Sequence, residues 1–255
     1  QQYDQMGAHS GIIFVIQNEK CGIADTITGK IIVPCTMDFI PRFNEGIAFY
    51  KKGEKYGYIK EGGKILTQPL YETADYFSGG LAKVRQAGKI GFVNKAGVLF
   101  IPCTYDYAEG PFNGLWMVSK GTKSGFVSSK GVIVPCIYDM ALYQEDDKIL
   151  VQKAGKEGLF DRNGKPLLLC SYDRIDNFVS ELGYGSKSNM IARVQKGGKW
   201  GVVDSQGKLI IPIVYDDVQV KDFYNYESEA VKVKKGKLWG IINLKGEEIV
   251  PCTYD

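Results

Sequence analysis

Seven glycines, Gly22, Gly57, Gly91, Gly125, Gly158, Gly201 and Gly240, follow one another at spacings of 35, 34, 34, 33, 43 and 39 residues. Each is the first of a pair. The second lies six residues on at Gly63, Gly97, Gly131, Gly164, Gly207 and Gly246, and seven on at Gly29. A period near 35 residues restricts the chain to stacked or radially arranged units, each too small to bury an apolar face alone. The fullest copy is residues 199–216, K-W-G-V-V-D-S-Q-G-K-L-I-I-P-I-V-Y-D.

Between the two glycines lies a turn signal: D-S-Q-G from Asp204, D-R-N-G from Asp161, N-K-A-G from Asn94, N-L-K-G from Asn243 and S-S-K-G from Ser128. An Asp, Asn or Ser at its start can bind the turn's own backbone, and glycine at its end accepts positive φ, so the pattern predicts a hairpin. The arm after the turn, as in residues 208–211, is apolar without alternation, which predicts strands buried on both faces. The Pro that follows (Pro34, Pro102, Pro135, Pro212 and Pro251) is expected to end that arm. After each Tyr-Asp comes a connector and then a strand of period two, such as residues 80–85 or 191–194. No helical periodicity appears. The expectation is an all-β chain of seven units, each with three strands and a short fourth around Tyr-Asp.

In this fixed order, the W-G, D-x-x-G, I-x-P and Y-D elements resemble the WG-repeat family of bacterial proteins. The resemblance covers essentially the whole chain, although Trp itself occupies its slot only at Trp200 and Trp239; Cys21, Tyr56, Ile90, Ser124 and Glu157 stand there otherwise. It implies a tandem β-repeat of the kind treated as an interaction module, and it carries no catalytic residue over. Seven short blades of three or four strands predict a closed seven-bladed β-propeller over residues 1–255 as one domain; an open β-hairpin solenoid produces the same pattern. Tyr3-Asp4 and Tyr254-Asp255 match the end of a repeat and no Met stands first, so the chain reads as a processed protein or a fragment of a longer one.

Thirty-two basic against 29 acidic residues leave a net charge of +3 without a basic block, giving no footprint for nucleic acid. No apolar run reaches the roughly 18 residues of a membrane helix, so no membrane insertion is expected. Cys35, Cys103, Cys136, Cys170 and Cys252 share one repeat position, which Ile213 fills in the sixth copy. A slot that takes Cys or Ile predicts unpaired core thiols, and the zinc spacing C-x-x-C is absent, so no metal and no cofactor are expected. Unpaired thiols favour a reducing, cytoplasmic compartment; the bacterial cell envelope is the alternative. A Lys precedes the Trp slot in six copies (Lys20, Lys55, Lys89, Lys123, Lys156 and Lys199), and each unit ends in an acid, so these charges are expected to pair or cap turns. His9 is the only histidine and lies outside the repeat core, which leaves Ser-His and Cys-His templates without a general base. The expectation is a non-enzyme, with a hydrolase using an unrecognised carboxylate site as the least favoured reading.

Departures from the repeat direct attention elsewhere. Two adjacent units carry long connectors, around residues 176–188 and 221–228, and insertions at one point of a repeat emerge on one side of the array. They would present Tyr184, Phe223, Tyr224 and Tyr226 together. Trp116 is a second departure, since its slot holds Ile13, Ala48, Ala82, Ile149, Ala192 and Val231 in the other copies. The leading expectation is a scaffold binding another macromolecule, a protein first, through the loop-bearing face. A carbohydrate-binding module with Trp116 or Tyr224 as stacking platform is the alternative.

Overall fold

The computed structural model describes residues 5–9, 11–144, 146–180, 190–220 and 230–254. Its backbone is strand and turn with no helix and no closed sheet among the described residues, arranged as seven small antiparallel sheets. The chain divides into two compact units, Gln1–Thr122 with Phe126–Cys136, and Lys123–Gly125 with Ile137–Asp255.

In the first unit, sheet 1 runs Gln5–His9, Ile12–Gln17, Lys20–Asp25 and Ile31–Met37, each strand beside the one before it. Sheet 2 has Ile47–Lys52, Lys55–Lys60 and Ile65–Tyr71, with isolated bridges Phe39↔Lys51 and Asn44↔Ile47 where a further strand would stand. Sheet 3 runs Thr73–Ala74, Leu81–Gln86, Lys89–Asn94 and Leu99–Tyr105. Sheet 4, of which Lys123–Gly125 and the last two residues are counted with the second unit, contains Tyr107–Phe112, Leu115–Lys120, Lys123–Ser128 and Gly131–Tyr138. In the second unit, sheet 5 runs Met140–Gln144, Lys148–Lys153, Lys156–Asp161 and Pro166–Tyr172. Sheet 6 runs Arg174–Ile175, Met190–Lys196, Lys199–Asp204 and Leu209–Tyr215, with Val179–Ser180 also on Met190–Lys196. Sheet 7 runs Asp217–Gln219, Ala230–Lys235, Leu238–Asn243 and Glu248–Tyr254.

The hairpin chemistry is as expected. Asp204 Oδ1 accepts from the backbone N–H of Gln206 and Lys208, each at 2.9 Å, and Gly207 sits at φ +79°. Two other expectations are corrected. The proline does not end its strand: Leu209–Tyr215 continues through Pro212, and the register jumps from Trp200↔Tyr215 to Val202↔Ile211. This leaves three residues opposite Gly201, a bulge on the outermost strand, where Pro's missing donor is tolerated. Nor is the outer strand buried on both faces, since Leu209 and Ile249 are exposed. The doubly buried strand is the one bearing the W-G pair, for Gly201, Val202 and Val203 are consecutively buried. The short extra strand follows Tyr-Asp and opens the next sheet.

Gly201 is required by the bulge. A Cβ there would stand 2.6 Å from the carbonyl oxygen of Ile211 and 2.8 Å from Ile213 Cγ1. The thiols fill the same place elsewhere: Cys35, Cys103, Cys170 and Cys252 lie with Sγ 2.9, 2.7, 2.8 and 2.9 Å from where a Cβ on Gly22, Gly91, Gly158 and Gly240 would be. In sheet 2 the slot is Pro69, and the glycine is covered from the other side. Tyr50 replaces the valine of other copies, lays its ring over Gly57 and donates from its hydroxyl to the Thr67 carbonyl at 3.1 Å.

Sheet packs on sheet by one recurring junction. The residue after the W-G glycine, its cross-strand partner and the Tyr of Tyr-Asp face forward, and the following sheet answers with the Trp116-type slot. Thus Val202, Ile211 and Tyr215 of sheet 6 cluster with Val231 and Val233 of sheet 7. Leu159 and Leu168 of sheet 5 meet Ala192 and Val194 of sheet 6. Equivalent clusters join sheets 1 and 2, 2 and 3, and 3 and 4. Burial of this apolar surface is the main favourable term holding neighbouring sheets together.

Candidate binding face

Each Tyr-Asp acid does two jobs. Asp216 pairs with Lys199 of its own sheet and accepts from the Gly236 N–H in the next sheet's hairpin at 2.7 Å. The same arrangement joins Asp38 to Lys20 and Gly53, Asp106 to Lys89 and Gly121, Asp139 to Lys123 and Ala154, and Asp173 to Lys156 and Gly197. Glu72 reaches Lys55 at 3.8 Å and the Ala87 N–H at 2.9 Å. The lysine row is therefore tied into the scaffold as an inter-sheet clasp. The lysine ammonium, then the glycine or alanine N–H, holds these aspartates below their ordinary value of 3.8. A carboxylate more acidic in the fold than in the unfolded chain adds stability that is complete above that ordinary value and is lost as pH falls through the lower folded one. Thermal midpoints measured between about pH 6 and 2 should fall steeply below about pH 4, and less steeply in Asp216→Asn.

The two long connectors leave the same point of adjacent sheets, between the first and second strands of sheets 6 and 7. Between the strands that flank them, a polar network joins the two sheets. Arg193 Nε donates to Asp176 Oδ2 at 2.7 Å, a second guanidinium nitrogen donates to the Val218 carbonyl at 2.8 Å, and the guanidinium lies 4.8 Å from the Trp200 ring centroid. Asp176 also accepts from Arg174 Nε at 2.7 Å. Fixed in this way, Arg193 and Trp200 brace the roots of both connectors. On the side of sheet 5, Gln144 Nε2 donates to Asn177 Oδ1 at 3.0 Å, and Lys148 pairs with Asp146 at 2.8 Å with both side chains over nine-tenths buried. The Lys148 ammonium also sits 4.3 Å from the Phe178 ring. Asp146 Oδ1 and Gln144 Oε1 are buried without a hydrogen-bond partner.

Tyr184, Phe223, Tyr224 and Tyr226 lie outside the described residues. Trp116 is 4% exposed. Its ring packs 5.3 Å from Phe92 and 5.9 Å from the Lys83 ammonium, in the junction between sheets 3 and 4, and its Nε1 has no partner. Buried against Phe92 and Lys83 of the preceding sheet, the residue fills the junction where other copies have alanine, valine or isoleucine. Cys21, Cys103, Cys136, Cys170 and Cys252 are free, half-buried thiols, and burial pushes Cys103, Cys136 and Cys170 above the ordinary value of 9.0. No group of three His, Cys, Asp or Glu able to hold a metal is found among the described residues.

The Arg193–Asp176 pair was missed in the sequence, though a signal exists. These positions are cross-strand partners in every sheet where both are paired: Glu109 faces Met117, Leu142 faces Leu150 and Gln219 faces Lys232. An aspartate stands at the first position only in sheets 3 and 6, and there the second is a cation, Lys83 with Asp75 at 3.1 Å and Arg193 with Asp176.

A profile described as WG containing repeat matches residues 22–56, 56–89, 90–123, 158–200, 200–239 and 239–255. The chain belongs to the WG containing repeat family. The profile passes over the copy around Gly125, whose Trp slot holds Ser124 and whose turn opens with Ser128. No curated protein matches the sequence of this WG-repeat chain. Among solved structures, a eukaryotic initiation factor is 12% identical, with 96% of this chain and 74% of that one covered and a TM-score of 0.34. PorZ, a bacterial surface component of the type-IX secretion system of Porphyromonas gingivalis, is 8% identical over 97% of this chain and 39% of its own, at 0.27. The extracellular domain of the hybrid two-component system BT4673 from B. thetaiotaomicron is 9% identical over 95% and 40%, also at 0.27.

Proposed function

We propose that this WG-repeat chain is a non-enzymatic scaffold that holds another protein on the face formed by the connectors of sheets 6 and 7. One observation carries the reading: both connectors leave equivalent points of two neighbouring sheets, over a network in which Arg193 binds Asp176 of one sheet and Val218 of the next. A rigid base under two long, aromatic-bearing loops is the arrangement by which repeat proteins present variable contact residues on an invariant frame. Tyr and Phe bring large contact area with little side-chain freedom to lose. The scaffold contributes position, and the loops contribute recognition. The reading treats the seven sheets as the repeating units of one scaffold.

The test substitutes Tyr184, Phe223, Tyr224 and Tyr226 by serine together in the 255-residue chain and compares what wild type and variant capture from extracts. A partner bound by wild type and lost by a variant of unchanged thermal midpoint is the expected result. An identical captured set would place recognition elsewhere.

A further inference from the structure

Sheet 2 departs from the pattern that neutralises sheets 3 and 6. There a cation on the second strand, Lys83 or Arg193, pairs with an aspartate at the cross-strand position, Asp75 or Asp176. The bridge Phe39↔Lys51 sets the register of sheet 2, and the same two positions hold Phe49 and Pro41. An apolar pair thus replaces an ion pair. Around Phe49 stand three further rings, Phe39 at 6.3 Å, Tyr56 at 5.9 Å and Tyr76, from the connector of sheet 3, at 5.1 Å. The cluster reaches solvent, since Phe39 is 48% exposed and Phe49, Tyr56 and Tyr76 are half-buried. All four rings belong to the first compact unit. Two cations border them. The Arg42 guanidinium and the Lys51 ammonium each lie 5.8 Å from a ring centroid, of Tyr76 and Tyr56 respectively. Neither has a carboxylate within ion-pair distance among the described residues, whereas Lys20, Lys55, Lys83 and Lys95 each have one. Asp38 acts on Lys51 only through space, its oxygens being taken by Lys20 and the Gly53 N–H.

We propose that this aromatic patch binds an acidic peptide segment, seating one large apolar side chain against Phe39, Phe49 and Tyr76 and bringing carboxylates to Arg42 and Lys51. Charge sets the sign of the partner, because two cations that lack a carboxylate of their own favour an anionic one. Ring geometry favours a peptide over a sugar. Phe39, Tyr56 and Tyr76 are tilted by 44°, 69° and 56° to Phe49, and a cation lies over the rings of Tyr56 and Tyr76, so the cluster offers no flat platform for a pyranose ring. Tilted rings fit the rounded side chain of a leucine, methionine or phenylalanine, and the bordering cations fit acids on either side of it. The patch is built from sheets 2 and 3 and does not involve the long connectors, so it stands independently of the reading that assigns those to partner binding.

The test selects short random peptides displayed on phage against wild type and discards those that also bind Phe39→Ser. The enriched sequences are expected to place aspartate or glutamate beside a large apolar residue. A labelled synthetic peptide of that consensus, titrated by fluorescence anisotropy, is expected to bind Phe39→Ser and Arg42→Glu roughly tenfold or more weakly than wild type, and to bind wild type less tightly in added salt. Thermal midpoints of both variants should match that of wild type. The chain with Tyr184, Phe223, Tyr224 and Tyr226 replaced by serine is expected to bind the peptide as wild type does, which separates this patch from the connectors. Arg42→Glu takes over the counter-selection should Phe39→Ser disturb folding. A selection that yields no consensus, or a consensus without acids, would overturn the proposal, and so would a consensus peptide that binds Arg42→Glu as tightly as wild type. An acidic glycan bound in place of any peptide, and lost in the same variants, would overturn the assignment to a peptide.

Discussion

Gly201→Ala is expected to lower the unfolding free energy by about 3 kcal/mol or more, measured by urea denaturation. The added methyl would meet the Ile211 carbonyl at 2.6 Å, and both groups belong to backbone held in the sheet, so the clash cannot be relieved by rotating a side chain. Relief requires pulling the bulge off the W-G strand, which takes Ile211 and Tyr215 out of the junction with sheet 7. Gly29→Ala is the reference. There the methyl enters open space and the cost is the left-handed backbone alone, about 1–2 kcal/mol. Equal losses at the two positions would mean that the bulge gives way easily and that the first glycine of each pair is not a packing requirement.

A second large effect follows from the junctions. Ile23→Ala is expected to cost about 3–4 kcal/mol, because Ile23 is fully buried among Val33, Met37, Ala48 and Ile59, and the cavity cannot collapse between two sheets. The same change at Ile241, in the same slot of sheet 7, is expected to cost only about 1 kcal/mol, since that side chain is already partly in water. Chemistry and backbone position are identical in this comparison, so the difference isolates coverage by a following sheet. Equal losses at Ile23 and Ile241 would contradict the assignment of this stability to the junctions.

Much of this was legible in the residues. The spacing of the glycine pairs marked out seven units, the D-x-x-G turns located each hairpin, and the pairing of the lysine row with the Tyr-Asp acids followed from their recurrence. The proline misled because a missing N–H does end an interior strand, whereas here the strand is the outermost one and the donor is lost at a bulge. Burial of residues 208–211 was overestimated for a related reason: an unbroken apolar run does not reveal whether its strand lies inside a sheet or at its edge. Trp116 stood out by size in a slot of small residues, and only the packing of Phe92 and Lys83 against it shows that the junction absorbs it. Arg193 was invisible to a search for motifs, because its role depends on a cross-strand partner 17 residues away rather than on a local pattern.

The most direct test of the scaffold account is to replace residues 181–189 and 221–229 with short glycine-serine turns and to follow two readouts, the thermal midpoint and partner capture. The junction and clasp residues named above all lie outside those segments, so the midpoint should stay where it is while the partner is lost. A chain that unfolds on losing the connectors, or one that keeps its partner without them, would contradict the account.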